Sequence, residues 1–378
     1  MRGDFKFTVF ASGCGDTLLL EAHRKVILTD VRYRTGQAQD PDNDDVPDFG
    51  PDLRLACGNG HLDVFVLTHP DQDHLCGFCD LFHCGRPSAW VANPARGEPK
   101  LLVDEIWCSP YSANPHYTTD ASEPVIREIK RRLALRGTME GQLDGNRVVV
   151  MDTTTHTEGL VVDGLRWRLL APTPAEWNIP KTGPDEPPTS SNPTSLIMQW
   201  TVTRAWGDSQ ILICGDTSVD VLERIHDTVL RRNPDWLDWH ILIAPHHCSR
   251  RSIGRVWNGG CIDEEFEESA KALAVLGRQV GEGFVVSSSK RIIRGGATPP
   301  SFHAKNRYLR ILAGSGDIDD SVRERFLCTG GDADGDKPAH VIFNLNVTGP
   351  TLAARSKPGA IRVGAASSVG GGGGYGRR

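Results

Sequence analysis

The apolar run VFVL, residues 64 to 67, is followed at once by THPDQDH, residues 68 to 74. A short apolar run bounded by turn residues reads as a buried strand. Its carboxyl end therefore carries two histidines and two aspartates within six positions, and the fold must bring that strand to a ligand-rich edge. His69, Asp71 and Asp73 alternate, so an extended loop sends them to one side, while His74 adds a second direction. Four ligands so placed can serve two adjacent metal ions and do not form one closed tetrahedral site. Acidic residues beside a helix start also act as caps, but a cap does not require two flanking histidines.

The same pattern recurs further along. ILICGDT ends an apolar run at Asp216, ILIAPHHC ends another at His246 and His247, and PPSFHAKNRYLRIL sets His303 at a helix start. Each is weak alone, since a single histidine in such a place is more often structural. Together they point to one shared site at the edge of packed sheets.

The rest of the chain fits that geometry. FKFTVF, DTLLLEA and KVILTDV read as an antiparallel meander, residues 36–51 as an acidic loop, and PDLRLAC, residues 51–57, and residues 73–82 as helices. AWVAN and EIWCS read as strands and residues 123–136 as a helix; residues 178–194, rich in Pro, Ser and Thr, form a loop at the edge of a site, or a lid. The second half alternates strands with helices at 218–231, 263–277 and 300–312. The expected class is α/β, a four-layer αββα sandwich with loop insertions: two central sheets covered by helices. Residues 1–352 form the domain and residues 353–378 a Gly-rich flexible tail, too small and polar to bury apolar surface.

A net charge of -6 argues against non-specific coating of nucleic acid but leaves room for a local basic groove. With no apolar window of membrane-spanning length and no signal-peptide pattern, the expectation is a soluble cytoplasmic protein without a membrane partner. The ten scattered cysteines read as reduced thiols.

The series SGCGDTLLL, ILTD, VFVLTHPDQDH, NPTSLIMQW, ILICGDT, ILIAPHHCSRRS and SFHAKNRYLRIL resembles, in this order over residues 5 to 312, the metallo-β-lactamase fold superfamily. Within it the series looks like the hydrolase domain of the ComEC/Rec2 DNA-uptake proteins. The resemblance implies a dinuclear centre of two divalent ions, Zn or Mn. His69 and Asp71 would hold one ion, Asp73 and His74 the other, and Asp216 would bridge them. His247 would complete the first site and His303 the second, His246 would contact substrate or act as a general acid, and Asp30 would support the ligand loop. Asp71, where many relatives have histidine, makes the first site richer in oxygen and shifts it towards Mn. The sequence departs from the pattern at Cys248, where a glycine is usual; a packed small side chain is the favoured reading. The membrane channel of the DNA-uptake proteins is absent.

Weaker signals flank the motifs. Cys76, Cys79, His83 and Cys84 have the spacing of a structural zinc site, yet on a helix 76, 79 and 83 share one face and pack in the core. Ser249, Arg250, Arg251, Lys290 and Arg291 could hold a phosphodiester backbone, or could be a solvated surface. Asn192 and Ser195 either bond near the site or shape a turn. The expected function is metal-dependent hydrolysis with His246 and Asp73 in catalytic roles, acting on a phosphodiester in a nucleic acid or nucleotide. The alternatives are a small ester, lactone or amide, or a binding subunit of a bacterial defence assembly with protein partners on its loops or tail.

Overall fold

The computed structural model describes residues 5–34, 46–181, 190–205, 207–257, 265–296, 299–333, 335–346 and 348–356. The strands are β1 Phe5–Val9, β2 Leu18–Ala22, β3 Lys25–Thr29, β4 His61–Leu67, β5 Leu102–Cys108, β6 Arg147–Val150, β7 Glu158–Val162, β8 Leu165–Ala171 and β9 Ile197–Arg204. They continue with β10 Gly207–Ile213, β11 Trp239–Ile243, β12 Gly254–Trp257, β13 Glu265–Glu268, β14 Gln279–Lys290, β15 Phe326–Gly330, β16 His340–Asn346 and β17 Gly349–Ser356. One sheet runs β17-β16-β1-β2-β3-β4-β5-β6, the other β15-β14-β11-β10-β9-β8-β7, and β12 and β13 form a separate pair.

Strand periodicity dictates the layers. Successive side chains point to opposite faces, so Leu18 and Leu20 enter one core while Leu19 enters another; Ile211 and Ile213 part from Leu212 in the same way. The inner faces of both sheets meet in a core that includes Phe7, Val66, Trp107, Trp200 and Ile243. The outer face of the first sheet is covered by α1 Gly50–Ala56, α2 Phe78–Leu81 and α3 Glu123–Leu133 through Leu53, Leu81 and Ile129. The outer face of the second is covered by α4 Val219–Ile225, α5 Ala270–Leu276 and α6 Phe302–Ala313 through Leu222, Val275 and Tyr308. The result is the αββα sandwich. Among the described residues no helix is long and apolar enough to cross a membrane.

Several local expectations need correction. Residues 353–356, read as the start of a tail, extend β17, which pairs with β16 as far as Ser356 opposite His340; the rest of the tail lies outside the described residues, as do residues 36–45 and 182–189 of the two loops. AWVAN is not a strand but irregular chain after a short turn at Pro87–Ala89. The helix expected at 263–277 is divided between β13 and α5, because Ser269 caps α5 by accepting from Ala272 N. The helix expected at 73–82 is broken at Gly77, which has φ 76° and would place a Cβ 2.1 Å from the Tyr33 carbonyl oxygen. That break also scatters the Cys/His cluster. Cys79 and Cys84 form a disulfide, contrary to the reduced-thiol expectation for this pair, and His83 bonds the Arg86 carbonyl oxygen at 2.9 Å. The remaining cysteines of the described residues are free.

Candidate metal centre

Strand ends from both sheets build the centre. His69 and its neighbours leave the carboxyl end of β4, Asp216 lies just beyond β10, and His246 and His247 lie just beyond β11. β3 to β6 run parallel to one another, as do β10, β11, β14 and β15, which gathers their carboxyl ends at one edge of each sheet. Ligand sites concentrate at such edges. The seam between the sheets is tied by Leu196 N donating to Thr68 O, and within the second sheet His246 N donates to Gly215 O, each at 3.0 Å. Gly215 has φ 53°, and a Cβ there would sit 3.1 Å from Thr68 Oγ1, so the approach of β10 to the ligand loop requires glycine.

Asp73, His74, Asp216 and His247 each offer a ligand atom, and these atoms all lie within 4.8 Å of one another. Asp216 Oδ1 is 3.1 Å from His74 Nε2 and 3.4 Å from His247 Nε2, whereas its Oδ2 is 3.4 Å from His246 Nε2. Its two oxygens thus face two sides of the centre. The His69 ring lies beside that of His74, 4.2 Å between centroids and tilted by 53°, and His69 Nε2 is 3.5 Å from Asp71 Oδ2.

Outer partners aim the rings. His74 donates Nδ1–H to Asp30 Oδ2 at 2.7 Å, and Asp30 also accepts from Thr68 N at 2.8 Å and Thr68 Oγ1 at 2.6 Å. Because the Thr68 hydroxyl proton goes to Asp30, its oxygen accepts from His69 Nδ1, 3.0 Å away. His247 Nδ1 donates to Ser288 O at 3.1 Å, with Asp16 Oδ1 3.6 Å distant. With all three Nδ1 atoms engaged, each Nε2 faces the centre, the arrangement that orients metal-binding histidines. The Asp30 role implied by the resemblance is present. Asp16, Thr68, Ser191 and Ser288 are the additions; GCGD carried the only hint, at Asp16.

The donor set fits divalent ions. His69 Nε2, His74 Nε2 and Asp216 Oδ1 are buried and make no hydrogen bond, an arrangement that is costly unless something else satisfies those atoms. Burial opposes charge on His74 and His247, but neighbouring carboxylates, Asp216 foremost, overcome it and raise both rings well above their ordinary value. Burial likewise opposes ionisation of Asp216, and His247, His74 and His246 outweigh it, holding the carboxyl well below the usual range. The pocket therefore demands positive charge between its carboxylates, which protons or cations can supply.

His246, His247 and Cys248 are consecutive non-glycine residues at φ 49°, 50° and 66°. Left-handed conformations cost about 1–3 kcal/mol each and persist only where the surroundings enforce them. Here the turn faces both histidines towards Asp216. Cys248 is fully buried in the outer core of the second sheet, so its thiol packs as expected, at the position where glycine would relieve the strain.

Two assignments change. His247 joins Asp73 and His74, not His69 and Asp71. His303 joins neither group: it is the second residue of α6, half-exposed, and bonds Glu268 Oε1 at 2.6 Å, where Arg307 also binds. The β12–β13 pair, unrecognised in the sequence, supplies that carboxylate and holds the ring at the surface. Asn192 is brought in, its amide Nδ2 donating to His246 Nδ1 at 3.4 Å, and Ser195 Oγ donates to Asn192 O at 2.8 Å, shaping the turn. Asp71 is bonded by the Ser191 hydroxyl.

The basic flank is spread among other partners. Ser249 Oγ accepts from Arg251 N at 3.2 Å, Arg250 lies 5.9 Å over the Phe266 ring, Arg291 donates to Ala333 O at 3.2 Å, and Lys290 ends β14. None of these five residues lines the cavity of about 310 Å³ that opens beside Asp71 and Asp73. That cavity is walled by Tyr111, Tyr117, Thr119, Ser122, Ser190 and Ser191.

No protein-family model matches the chain, and no curated protein matches it. Among solved structures, an isothiocyanate hydrolase from Delia radicum gut bacteria is similar at 15% identity and a TM-score of 0.38, over 88% of this chain and 97% of that one. Unliganded yeast PDE1 is similar at 12% identity and 0.40, over 82% and 93%. The metallo-β-lactamase fold protein YhfI from Bacillus subtilis is similar at 12% and 0.30, over 63% and 70%. Identities and scores this low carry no activity from one protein to another, so the chemistry of the centre rests on its own residues.

Proposed function

We propose that this chain, with the αββα layers and ligand order of the metallo-β-lactamase fold, is a metal-dependent hydrolase whose dinuclear centre activates water against a phosphodiester. The observation that carries the reading is the convergence of His69, His74, Asp216 and His247, in which the three Nδ1 atoms are engaged from behind and centre-facing atoms of His69, His74 and Asp216 are unsatisfied. Asp73, His74 and His247 would hold one ion, His69 and Asp71 the other, with Asp216 between them. Bound there, Zn or Mn would supply Lewis acidity towards water and towards the oxygen of the bond under attack. Two aspartates in HPDQDH make the set oxygen-rich, which supports Mn and the ComEC/Rec2-like branch of the sequence resemblance.

His246 is the proton donor in this reading. Burial depresses its pKa, so the ring is neutral near pH 7. With its Nδ1 accepting from Asn192, the proton resides on Nε2, on the side of Asp216. The fraction of rings that takes up a second proton at Nδ1, with the Asn192 amide turned so that its Oδ1 accepts, can release the Nε2 proton to a departing oxygen and return to neutral imidazole. The strained turn and Asn192 fix its direction.

The neutral walls of the cavity favour a second reading, hydrolysis of a small ester or lactone, since such a substrate brings no phosphate to be neutralised. Metal analysis of the purified protein, joined to assays on bis-p-nitrophenyl phosphate, single-stranded DNA, RNA and p-nitrophenyl acetate, separates the two. Hydrolysis of the diester with two bound ions supports the first; acetate hydrolysis alone moves the assignment to the second.

A further inference from the structure

We infer that the cavity beside Asp71 and Asp73 seats an uncharged, hydroxyl-bearing ring attached to the scissile ester, so that the substrate is a sugar or nucleoside phosphoester of small size and not a polynucleotide. This rests on the phosphoester reading above and narrows it. Among the described residues the only charged members of the lining are the two ligand-loop aspartates, and every other polar wall is an amide or a hydroxyl. A second phosphate placed there would meet no lining cation among the described residues, whereas a neutral polar group would meet donors and acceptors of its own kind.

The hydroxyls are not all consumed internally. Ser190 Oγ accepts from Asn192 N at 3.3 Å and keeps its proton to offer, and Ser190 is exposed. Ser191, buried, spends its hydroxyl on Asp71 and so joins the cavity wall to the ligand loop. Tyr117 stands at the mouth with 57% of its surface exposed, and Tyr111, 7% exposed, forms a firmer wall. An aromatic ring at the rim and hydroxyls within suit a ring with one apolar face and polar edges. The size agrees, because about 310 Å³ lies at the lower end of small-molecule sites, roughly 300–1,000 Å³. The arginines proposed for a backbone-binding track lie outside its lining.

The test is equilibrium binding to the Mn²⁺-loaded full chain of uridine 5′-monophosphate, glucose 1-phosphate, inorganic phosphate and a single-stranded oligonucleotide. One of the two monoesters should bind at least about fivefold more tightly than inorganic phosphate, the lower bound expected of one aromatic stacking contact. Tyr117→Ala and Ser190→Ala, at exposed positions where folding is not at risk, should each reduce that advantage, Tyr117→Ala nearly abolishing it. Which monoester shows the advantage tells nucleoside from sugar. Equal affinity for phosphate and both monoesters overturns the inference, as does an advantage that survives both substitutions, or an oligonucleotide that binds more tightly than either monoester. Turnover of bis-p-nitrophenyl phosphate reports separately on the underlying chemistry: turnover without any ring advantage sinks only the cavity assignment, and a Tyr117-dependent advantage without turnover sinks only the phosphodiester assignment.

Discussion

The two sides of the centre are built differently. On one side the rings of His74 and His247 and the Asp216 carboxylate are at most 4% exposed, the two rings are braced by Asp30, Ser288 and Asp16, and Asp73 alone, at 38%, stands open. On the other, only the His69 ring, braced by Thr68, is fully buried, while Asp71 is 41% and His246 19% exposed with a single serine and a single asparagine as their supports. Buried, doubly oriented ligands lose little freedom on binding, whereas exposed ones must be ordered each time. The closed side is therefore suited to hold an ion and the open side to exchange one and to meet substrate.

The strongest way to break this comparison is at its shared member. Asp216→Ala should empty both sides and reduce hydrolysis to background, with metal content per chain as the check; retention of both ions would remove the bridging role. His246→Gln should keep metal content and lower kcat by about 10²–10⁴-fold, the range of a positioned proton donor, with the loss greatest for poor leaving groups. A uniform loss across leaving groups would make His246 a positioning residue instead. Asp30→Asn should weaken metal binding about 10–100-fold on the closed side without touching an ion directly.

Smaller effects test the scaffold. Cys248→Gly should fold within about 1 kcal/mol of the parent, because relief of left-handed strain offsets the lost packing, while Cys248→Val should cost more than about 3 kcal/mol. Chemical denaturation reads both. Burial holds the His340 pKa down at about 4, so the ring is neutral in the fold and gains a proton on unfolding below about pH 6.5. The stabilisation is complete above about pH 6.5 and is lost as pH falls towards 4, amounting to about 3 kcal/mol. His340→Gln should flatten that part of the stability–pH curve; an unchanged acid limb would place the titration elsewhere.

Much of the fold was legible because alternating and continuous apolar runs report strands directly, and because HPDQDH, CGD and PHH each sit where such a run stops. The pairing of ligands was not legible. Whether His247 meets His69 or His74 depends on how the second sheet packs on the first, which no local pattern encodes. His303 misled because a histidine at a helix start looks the same whether a metal or Glu268 waits beside it, and Glu268 lies on a strand read as helix. Asp16 was visible within GCGD, but its role depends on a contact with His247, which arrives from the other sheet. The helix after the ligand loop failed at Gly77, where tertiary closeness to Tyr33 overrode an apolar spacing.

A centre of two ions held unequally is tested most directly by stepwise titration of the apo-protein with Mn²⁺. Two binding events of different affinity are expected, with His247→Ala removing the tighter and Asp71→Ala the weaker. A single event per chain, or loss of the same event in both variants, would contradict it.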